Sequence, residues 1–462
     1  MSRLLPTLTL VAAATAALSA HAMPGETGIG PVASPPETVG PTPVIKPVDK
    51  HLIPTVQVAK AVGWSAGGKP AAAPGIAVNA FASGLNHPRW LYVLPNGDVL
   101  VAETNAPPKP DDSKGIKGKV MGAVQKKAGA AAPTANRIVL LRDADGDGIA
   151  ETRTVFIDAL NSPFGMALVG NDLYVADTDE VLKFTYKPGA TSIAEPGVKV
   201  TDLPAGTINH HWTKNIIASA DGARLYATTG SNSNAGDNGI EAEAGRAAIY
   251  EIDRASGTKR LFATGLRNPN GMAWASDGRL WTVVNERDEL GSDLVPDYLT
   301  SVEDSDFFGW PWRYWGNHVD ARVKAPAPDY VVNTRAPDYA LGAHTASLGL
   351  TFSTGQKLGP DYAEGAFIGQ HGSWNRNPPS GYKVVYVPFS AGRPTGAKPQ
   401  TILDGFLVDG KAHGRPVGVA IDARGDLLVA DDVGNVVWRV RPAGGEAPTR
   451  MAAAVPQRLA GW

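Results

Sequence analysis

Four carboxylates are gathered in the short segment RDADGDGIAETR, residues 142–153. They are Asp143, Asp145, Asp147 and Glu151. Alternating carboxylates followed by Gly148 supply hard oxygen ligands of the kind that suits calcium. The flanking runs are strand-like and the twelfth position is Thr154 instead of the glutamate of an EF-hand, so we predict a hairpin tip. An acidic turn without metal explains the pattern equally well, and we expect any bound ion to be structural.

Basic side chains recur beside short apolar segments elsewhere in the chain. They are His87, Arg89, His210, His211, Lys214, Arg267, His344, His371, His413 and Arg415, with Asn268 and Gln370 next to two of them. Six of the nine histidines are in this set, although the formal net charge is only −2. If the fold brings these cations together, they would attract a small, multiply charged anion. The alternative interpretation is that each one merely hydrogen-bonds a neighbouring carbonyl.

The pair His210–His211 in INHHWTKN is the best candidate for acid–base chemistry. Two adjacent imidazoles repel each other when both are charged, so at least one should titrate near neutrality. A general base works best in this pH range.

Six copies of one pattern occur along the chain. In each copy a polar start, an apolar strand, a turn and a second apolar strand follow each other. The copies begin at His87, Ser162, His211, Arg267, Ala346 and Gly414. Asn96-Gly97, Asp221-Gly222 and Asp277-Gly278 predict hairpin turns in which both central residues accept positive φ. Further strand-like runs give four strands per repeat. We predict an all-β fold, a six-bladed β-propeller over residues 76–445; two β-sandwiches are the alternative.

The elements of a propeller would position the basic residues around one end of its axis, where ligands usually bind. The Ala- and Lys-rich segment 111–136 does not fit the repeat and predicts a short helix inserted in the first blade, on the surface.

The two ends of the chain differ in composition from the repeats. Residues 1–22 have a basic residue, an apolar run and an Ala-His-Ala ending, which predicts a signal peptide and a secreted or periplasmic protein. The Pro- and Ala-rich composition of residues 23–75 predicts a mostly irregular leader. We predict a C-terminal tail for residues 446–462. No other run approaches the ~20 apolar residues of a membrane span. The small net charge gives no field for nucleic acid, and the absence of cysteine excludes disulfides and covalent haem.

The motifs GLRNPNGMAW, FGWPW, GQHGSWNR and GRPVGVAIDARGDLLVADD resemble those of the PQQ-dependent sugar dehydrogenases. The resemblance is greatest to the sorbosone dehydrogenase branch, relatives of soluble quinoprotein glucose dehydrogenase, and extends from about Gly75 to Pro442. It implies a six-bladed propeller that binds pyrroloquinoline quinone (PQQ), a planar tricarboxylate, on a calcium ion at the axis.

The same resemblance implies roles for individual residues. His211 matches the general base, and Arg267 with Asn268 matches the pair at the reacting quinone carbonyl. Arg415 matches an arginine that holds a cofactor carboxylate. Further implied cofactor contacts are Lys214, His371 and His413, of which His413 replaces a second arginine.

The segment NERDELGSD, residues 285–293, matches the calcium loop, in which main-chain carbonyls near Asp288 and Glu289 would bind the ion. The family's aspartate that orients the base is replaced here by Ser231. Three residues are therefore open as the group that orients His211, namely Ser231 itself, Asn232 and Asn234.

The function implied is oxidation at C1 of an aldose, or of a sugar-derived aldehyde such as sorbosone, to the lactone or acid. Without a haem on the chain, electrons would pass to an external quinone or cytochrome. A calcium-dependent propeller lactonase and a non-catalytic binding propeller are the alternatives. The substrate, the acceptor and the oligomeric state are left open by the sequence.

Overall fold

The computed structural model describes residues 31–49, 55–111, 122–124, 126–129 and 132–444. The predicted signal peptide, residues 1–22, and the predicted tail, residues 446–462, lie outside these ranges.

The first strands in the described ranges are two short ones of the leader, β1 (Lys60–Ala61) and β2 (Ala71–Ala72), and a longer one of the last sheet, β3 (Ile76–Ser83). Three antiparallel four-stranded sheets follow in chain order. Sheet 1 contains β4 (Pro88–Val93), β5 (Val99–Glu103), β6 (Arg137–Arg142) and β7 (Thr152–Ile157). Sheet 2 contains β8 (Met166–Val169), β9 (Asp172–Ala176), β10 (Glu180–Thr185) and β11 (Val198–Asp202). Sheet 3 contains β12 (Ile216–Ala218), β13 (Arg224–Thr229), β14 (Ala248–Asp253) and β15 (Lys259–Thr264).

The second half of the chain forms three further sheets of the same kind. Sheet 4 contains β16 (Pro269–Trp274), β17 (Leu280–Val284), β18 (Pro296–Val302) and β21 (Tyr339–Ala343), with the hairpin β19 (Arg313–Tyr314) and β20 (His318–Val319) inserted. Sheet 5 contains β22 (Ser347–Phe352), β23 (Gly365–Gln370), β24 (Lys383–Ser390) and β26 (Gln400–Asp404), extended by β2 and β25 (Arg393–Pro394). Sheet 6 contains β29 (Pro416–Ile421), β30 (Leu427–Asp431), β31 (Val436–Pro442) and β3.

The remaining elements are short. They are β27 (Leu407–Val408) and β28 (Lys411–Ala412), which pair with β1, and the 3₁₀ turns η1 (Pro36–Thr38), η2 (Ile240–Glu243), η3 (Asp329–Asn333) and η4 (Pro360–Tyr362). None of the helices in the described ranges has the length and apolar character needed to cross a bilayer.

The first strand of each sheet lies on the inside of the assembly. Contacts between these strands follow the cyclic order β4, β8, β12, β16, β22, β29 and back to β4. The second strands are almost continuous apolar runs, because both of their faces are covered by neighbouring sheets. The all-β, propeller-type fold predicted from the repeats is thus confirmed.

Sheet 6 is completed by the strand nearest the chain's beginning. β3 pairs antiparallel with β31, with Ile76 opposite Pro442 and Ser83 opposite Val436. Phe81 of β3 packs in the core between sheets 6 and 1. This pairing joins the two ends of the repeat region, and β3 covers the edge of β31 that would otherwise be unpaired.

The three predicted hairpin turns are located correctly, but their conformation differs from the prediction. Only the glycines have positive φ, 90° at Gly97, 69° at Gly222 and 82° at Gly278. The preceding Asn or Asp instead accepts the backbone N–H two residues ahead, as Asp221 does from Ala223 and Asp277 from Arg279. These side-chain turns explain why a single positive φ is sufficient.

Within the insertion 111–136, residues 122–124 and 126–127 are helical. Val124 and Ala128 line the cavity described below, and Ala128 is buried. The expectation that the insertion lies only on the surface is therefore corrected for these residues.

The described part of the leader packs against sheets 4, 5 and 6. Gly40 exchanges two backbone hydrogen bonds with Ala340 beside sheet 4, and Asp49 N donates to Leu290 O. The Trp64 indole donates to the Asp431 carboxylate at the end of β30. The irregular leader is thus attached at several points along its length.

Candidate active site

A cavity of about 280 Å³ lies at one end of the inner strands. In each antiparallel hairpin the start of the first strand and the end of the second meet at the same edge of the sheet. Residues from both positions therefore converge here, from five of the six sheets. The cationic or titratable basic residues that line the cavity are Arg89, His210, His211, Arg267, His371 and Arg415. Among the described lining residues, Asp288 is the only carboxylate.

His211 precedes β12 and is held through one ring nitrogen. Its Nδ1 lies 3.0 Å from the carbonyl oxygen of Ser231 and 3.0 Å from the Ser231 hydroxyl. The hydroxyl itself donates to the Ser233 carbonyl, and a carbonyl can only accept. Nδ1 therefore carries the hydrogen, and the lone pair is on Nε2. Of the three residues left open by the sequence, Ser231 is the one in contact with the ring.

The environment of His211 favours the neutral imidazole. Burial removes hydration from the charged form, and Arg267, His210 and Lys109 repel a positive charge, so the pKa of His211 lies well below 6.5. The two histidine rings are perpendicular, with centroids 4.7 Å apart. His211 is therefore unprotonated, and able to accept a proton, throughout the neutral pH range.

Arg267 is buried, and oxygen atoms fix its guanidinium. It donates to the carbonyls of Asn234 and Glu286, at 3.2 and 2.7 Å, and to the Asn234 side chain at 3.0 Å. It also lies 3.2 Å from the Asp288 carboxylate. These oxygen atoms hold the guanidinium in place, so Arg267 is a charged, immobile group at the cavity wall.

Asp288 follows β17 and is surrounded by donors. Its carboxylate accepts from Asn375 at 2.7 Å and lies 3.3 Å from Nδ1 of His344. Burial opposes ionisation, but Arg267 and His344 outweigh it and lower the pKa of Asp288 to about 2. The same contact raises the pKa of His344, against the effect of its burial.

The predicted calcium contact through the main chain of Asp288 stays a prediction. The Asp288 carbonyl already accepts from the Asn234 amide at 3.1 Å and from the Arg322 guanidinium at 2.8 Å. Glu289, the other predicted residue, is not among the residues that line the cavity.

Two predicted cofactor contacts also lie elsewhere. Lys214 is completely buried behind the cavity wall, where its Nζ donates to the Trp212 carbonyl, and burial together with Arg246 lowers its pKa far below 10.5. Nδ1 of His413 donates to the Gly63 carbonyl, and the ring packs on the leader's Trp64. Position next to a strand did not determine which way these side chains point.

Asp432, which sequence reasoning did not select, organises the opposite wall. Its carboxylate accepts from Arg89 at 2.9 Å and contacts Nε2 of His371 at 2.9 Å, with His87 at 3.5 Å. Burial opposes ionisation, but His371, His87 and Arg89 lower the pKa of Asp432 further than burial raises it. The only signal in the sequence was the second acid of VADD at the end of an apolar strand.

Arg415 completes this wall. Its guanidinium donates to the Tyr382 hydroxyl at 2.8 Å and lies 4.8 Å from the centre of that ring. Its position at the cavity agrees with the prediction, as do those of His211, Arg267, Asn268 and His371.

Several buried polar atoms at the cavity have no partner among the described residues. They are Nε of Arg89, Nε of Arg415 and the side-chain oxygens of Asn268 and Asn270. Buried polar groups are usually hydrogen-bonded, so unused donors beside six basic side chains indicate a site for a polar anion.

The acidic loop is at the tip of the β6–β7 hairpin, as predicted. One oxygen from each of Asp143, Asp145, Asp147 and Glu151 lies within 4.8 Å of the others. Several of these carboxylates also accept backbone N–H groups of the loop, and Asp143 is close to Arg424 and Arg439. None of the four lines the cavity.

Comparison with known proteins identifies the family. The TrAA12-like family model matches residues 133–299 and 328–443, which is more than half of the chain. The chain belongs to the TrAA12-like family. This TrAA12-like chain is also 28% identical, over 307 residues, to an uncharacterized protein of Borreliella burgdorferi; the match covers 63% of the chain and 79% of that relative.

A second curated relative carries an activity in its name. A pyrroloquinoline quinone-dependent pyranose dehydrogenase of Coprinopsis cinerea is 24% identical over 438 residues, covering 80% of this TrAA12-like chain. The chain spans only 54% of the length of that relative.

Solved structures share the fold. The holo PQQ domain of the Coprinopsis cinerea pyranose dehydrogenase superposes with a TM-score of 0.63 at 21% identity, covering 81% of this chain and 97% of that one. A calcium structure of a Trichoderma reesei family AA12 enzyme gives a TM-score of 0.64 at 18% identity, with coverages of 84% and 99%. The PQQ-bound aldose sugar dehydrogenase of Streptomyces coelicolor gives 0.51 at 16%, with coverages of 80% and 100%.

The low pKa of His211 predicts how stability depends on pH. Below pH 6.5 the unfolded chain protonates this histidine while the folded chain does not, so the free energy of unfolding falls as the pH decreases. His211→Gln should therefore lose less stability than the unmodified protein between pH 6.5 and 5, measured by urea unfolding. His318→Gln, at an exposed histidine, is the matched control. Identical pH profiles for the unmodified protein and His211→Gln would contradict the assignment.

Proposed function

We propose that this protein is a PQQ-dependent oxidoreductase that oxidises C1 of an aldose, or of a sugar-derived aldehyde such as sorbosone, to the lactone or acid. The observation that carries the proposal is a cavity in which a neutral histidine faces a set of fixed cations with unused hydrogen-bonding capacity. Family membership and the names of the relatives support it. Electrons would leave to an external quinone or cytochrome.

The architecture belongs to the same proposal. We take the six four-stranded sheets as the blades of one propeller over residues 76–445, with the described part of the leader 23–75 packed against it and residues 111–136 inserted in the first blade. Export after removal of residues 1–22 would place the enzyme in the periplasm or outside the cell.

The cavity fits PQQ in charge and in chemical character. Arg89 and Arg415 can meet carboxylates, and each has an unused Nε donor. Burial lowers the pKa of His371 to about 4, so this residue would contact the cofactor as a neutral imidazole. Trp212 and Trp374 give the wall apolar area for a flat ring system. When bound, the quinone supplies the acceptor for the hydride removed from the substrate.

Calcium would bind in the same cavity, near the loop that contains Asp288 and Glu289. The amide oxygens of Asn268 and Asn270, which have no partner among the described residues, are hard donors of the type that calcium prefers. When bound there, the ion supplies Lewis-acid polarisation.

His211 would perform the proton transfer. Its Nε2 lone pair accepts the proton from the C1 hydroxyl of the substrate as that carbon loses hydride. The Ser231 carbonyl, which accepts from Nδ1–H, fixes the ring orientation and partly offsets the positive charge that forms. The nearby Arg267 and His210 make that charge short-lived, so the proton is readily passed on and the base is restored.

Arg267 would stabilise negative charge that develops in the cavity. Its guanidinium is held by the carbonyls of Asn234 and Glu286, so it needs no reorganisation during the reaction. The pair Arg267–Asp288 also keeps the guanidinium from turning away from the wall.

Reconstitution tests this function. The purified chain is mixed with PQQ and calcium, and dye reduction is followed with a series of aldoses and a sorbosone-type aldehyde. We expect reduction that requires PQQ and is abolished by a chelator. Hydrolysis of a lactone without PQQ would instead support a lactonase, and the absence of any PQQ absorbance change would support a binding propeller.

His211→Gln should lower the turnover number by roughly 10²–10⁴-fold, because it removes the general base. The dissociation constant for PQQ, from visible absorbance, should change little, since glutamine keeps the volume and polarity of the position. His318→Gln should leave both values unchanged. A near-normal turnover number in His211→Gln would refute the role of the base.

We propose that the acidic loop binds a structural calcium ion. If so, Asp145→Ala should lower the melting temperature measured in calcium and reduce the difference between calcium and chelator to the part that the proposed cavity calcium contributes. The turnover number per folded molecule should be unchanged, because the loop does not reach the cavity. Glu195→Ala, at an exposed acid in another loop, is the matched control. A melting temperature of the unmodified protein that is insensitive to calcium would contradict the proposal.

A further inference from the structure

A segment of the leader runs beside the cavity and touches the chain at residues that build it. Gln57 N donates to the Trp374 carbonyl at 2.9 Å, and Trp374 lines the cavity. β1 pairs in parallel with β28, immediately before the residues that lead to Arg415. Trp64 then reaches the carboxylate of Asp431, and this contact joins positions 367 residues apart.

Asp431 is a completely buried carboxylate that has no cationic partner among the described residues. One of its oxygens accepts the backbone N–H groups of Arg415 and Gly434, at 2.7 and 2.8 Å. The other accepts the indole N–H groups of Trp64 and Trp438, at 2.7 and 3.0 Å. Burial raises the pKa of Asp431 to about 6, so its four donors are what keep it ionised at neutral pH. Among the described residues, Trp64 is one of two donors to Oδ2 of Asp431.

The chain on either side of this carboxylate forms one wall of the cavity. Arg415, whose N–H is held by Asp431, lines the cavity directly. Asp432, the next residue, donates its own N–H to the Arg415 carbonyl and binds Arg89 and His371 through its side chain. A shift of Asp431 would therefore move three basic side chains of the cavity together.

The atoms around Asp431 and Trp64 are closely packed, so a shift of the carboxylate would also move its neighbours. A Cβ atom on Gly434 would lie 2.2 Å from the Asp431 carboxylate and 2.6 Å from the Trp64 ring, and one on Gly414 would lie 2.1 Å from the same carboxylate. The Trp64 ring also packs on Phe406, His413 and Trp438. Glycine at these two positions lets the carboxylate and the indole approach the backbone closely.

We propose that Trp64 is a positioning residue of the cavity: through Asp431 it fixes Arg415 and the Asp432 cluster in the geometry that binds the anionic cofactor. The leader is then a part of the binding site, although it contributes no side chain from residues 57–64 to the lining. The identity of the ligand as PQQ rests on the proposed function, whereas the link from Trp64 to the cavity wall does not.

Trp64→Phe separates this role from simple packing. Phenylalanine retains the aromatic contacts but lacks the indole N–H, so Asp431 loses one donor. Because a hydrogen bond to a buried charge is removed, we expect the dissociation constant for PQQ, from quenching of tryptophan fluorescence, to rise roughly tenfold. Lys398→Met is the matched control: Lys398 holds the leader through the carbonyls of Pro36 and Val39, away from the cavity. Its dissociation constant should be unchanged.

Hydrogen exchange gives a readout that needs no cofactor. In Trp64→Phe the peptide around Arg415 and Asp432 should exchange faster than in the unmodified protein, while peptides of sheets 2 and 3 should not change. Asp431→Asn should have the same effect, and the double variant should add little to either single variant.

The outcomes are distinguishable. If Trp64→Phe and Lys398→Met affect stability alike and neither alters PQQ binding or exchange near Arg415, Trp64 is only a packing residue and the inference is overturned. If the unmodified protein binds no PQQ, the proposed function fails, and exchange near Arg415 alone decides whether Trp64 positions the wall.

Discussion

The repulsion between like charges is the constraint on which the candidate site depends. Basic side chains from separate sheets meet in one cavity, and folding can bring them together only if carboxylates offset part of their charge. Asp432 serves Arg89 and His371 on one wall, and Asp288 serves Arg267 on the other. The compensation is incomplete, because two carboxylates face three arginines, whereas burial lowers the pKa of His211 well below 6.5 and that of His371 to about 4 and keeps both histidines neutral. The remaining positive potential is what an anionic ligand would neutralise.

The balance of charges gives the residues of the cavity two different tasks, anion binding and proton transfer. Arginines remain charged and are fixed by carbonyls or aromatic rings, which suits the binding of an anion. His211 is held through one nitrogen by the Ser231 carbonyl. Burial and its cationic neighbours keep the ring uncharged, which suits proton transfer. A carboxylate at position 231 would raise the pKa of the histidine, so serine and the carbonyl maintain the base in its unprotonated form.

Much of the fold could be predicted, because the repeats encode it locally through strands and turns. The positions of His211, Arg267, Asn268, His371 and Arg415 followed from their place at strand ends. Asp432, Trp64 and the direction of Lys214 could not be predicted, since each depends on a partner that is far away in sequence or on which face of the backbone a side chain occupies. The contact of Arg322 with the Asp288 carbonyl could not be predicted for the same reason, because Arg322 arrives from a different loop.

The pairing of β3 with β31 joins segments about as far apart as the repeat region allows. Such a non-local contact forms late, because the intervening sheets must be in place before their ends can meet. The leader's Trp64 lies just upstream of β3 and reaches Asp431 just upstream of β31, so it is brought into position by the same event. A partly synthesised chain would therefore have sheets but no finished cavity, and the anionic ligand would be captured only by molecules whose ring is complete.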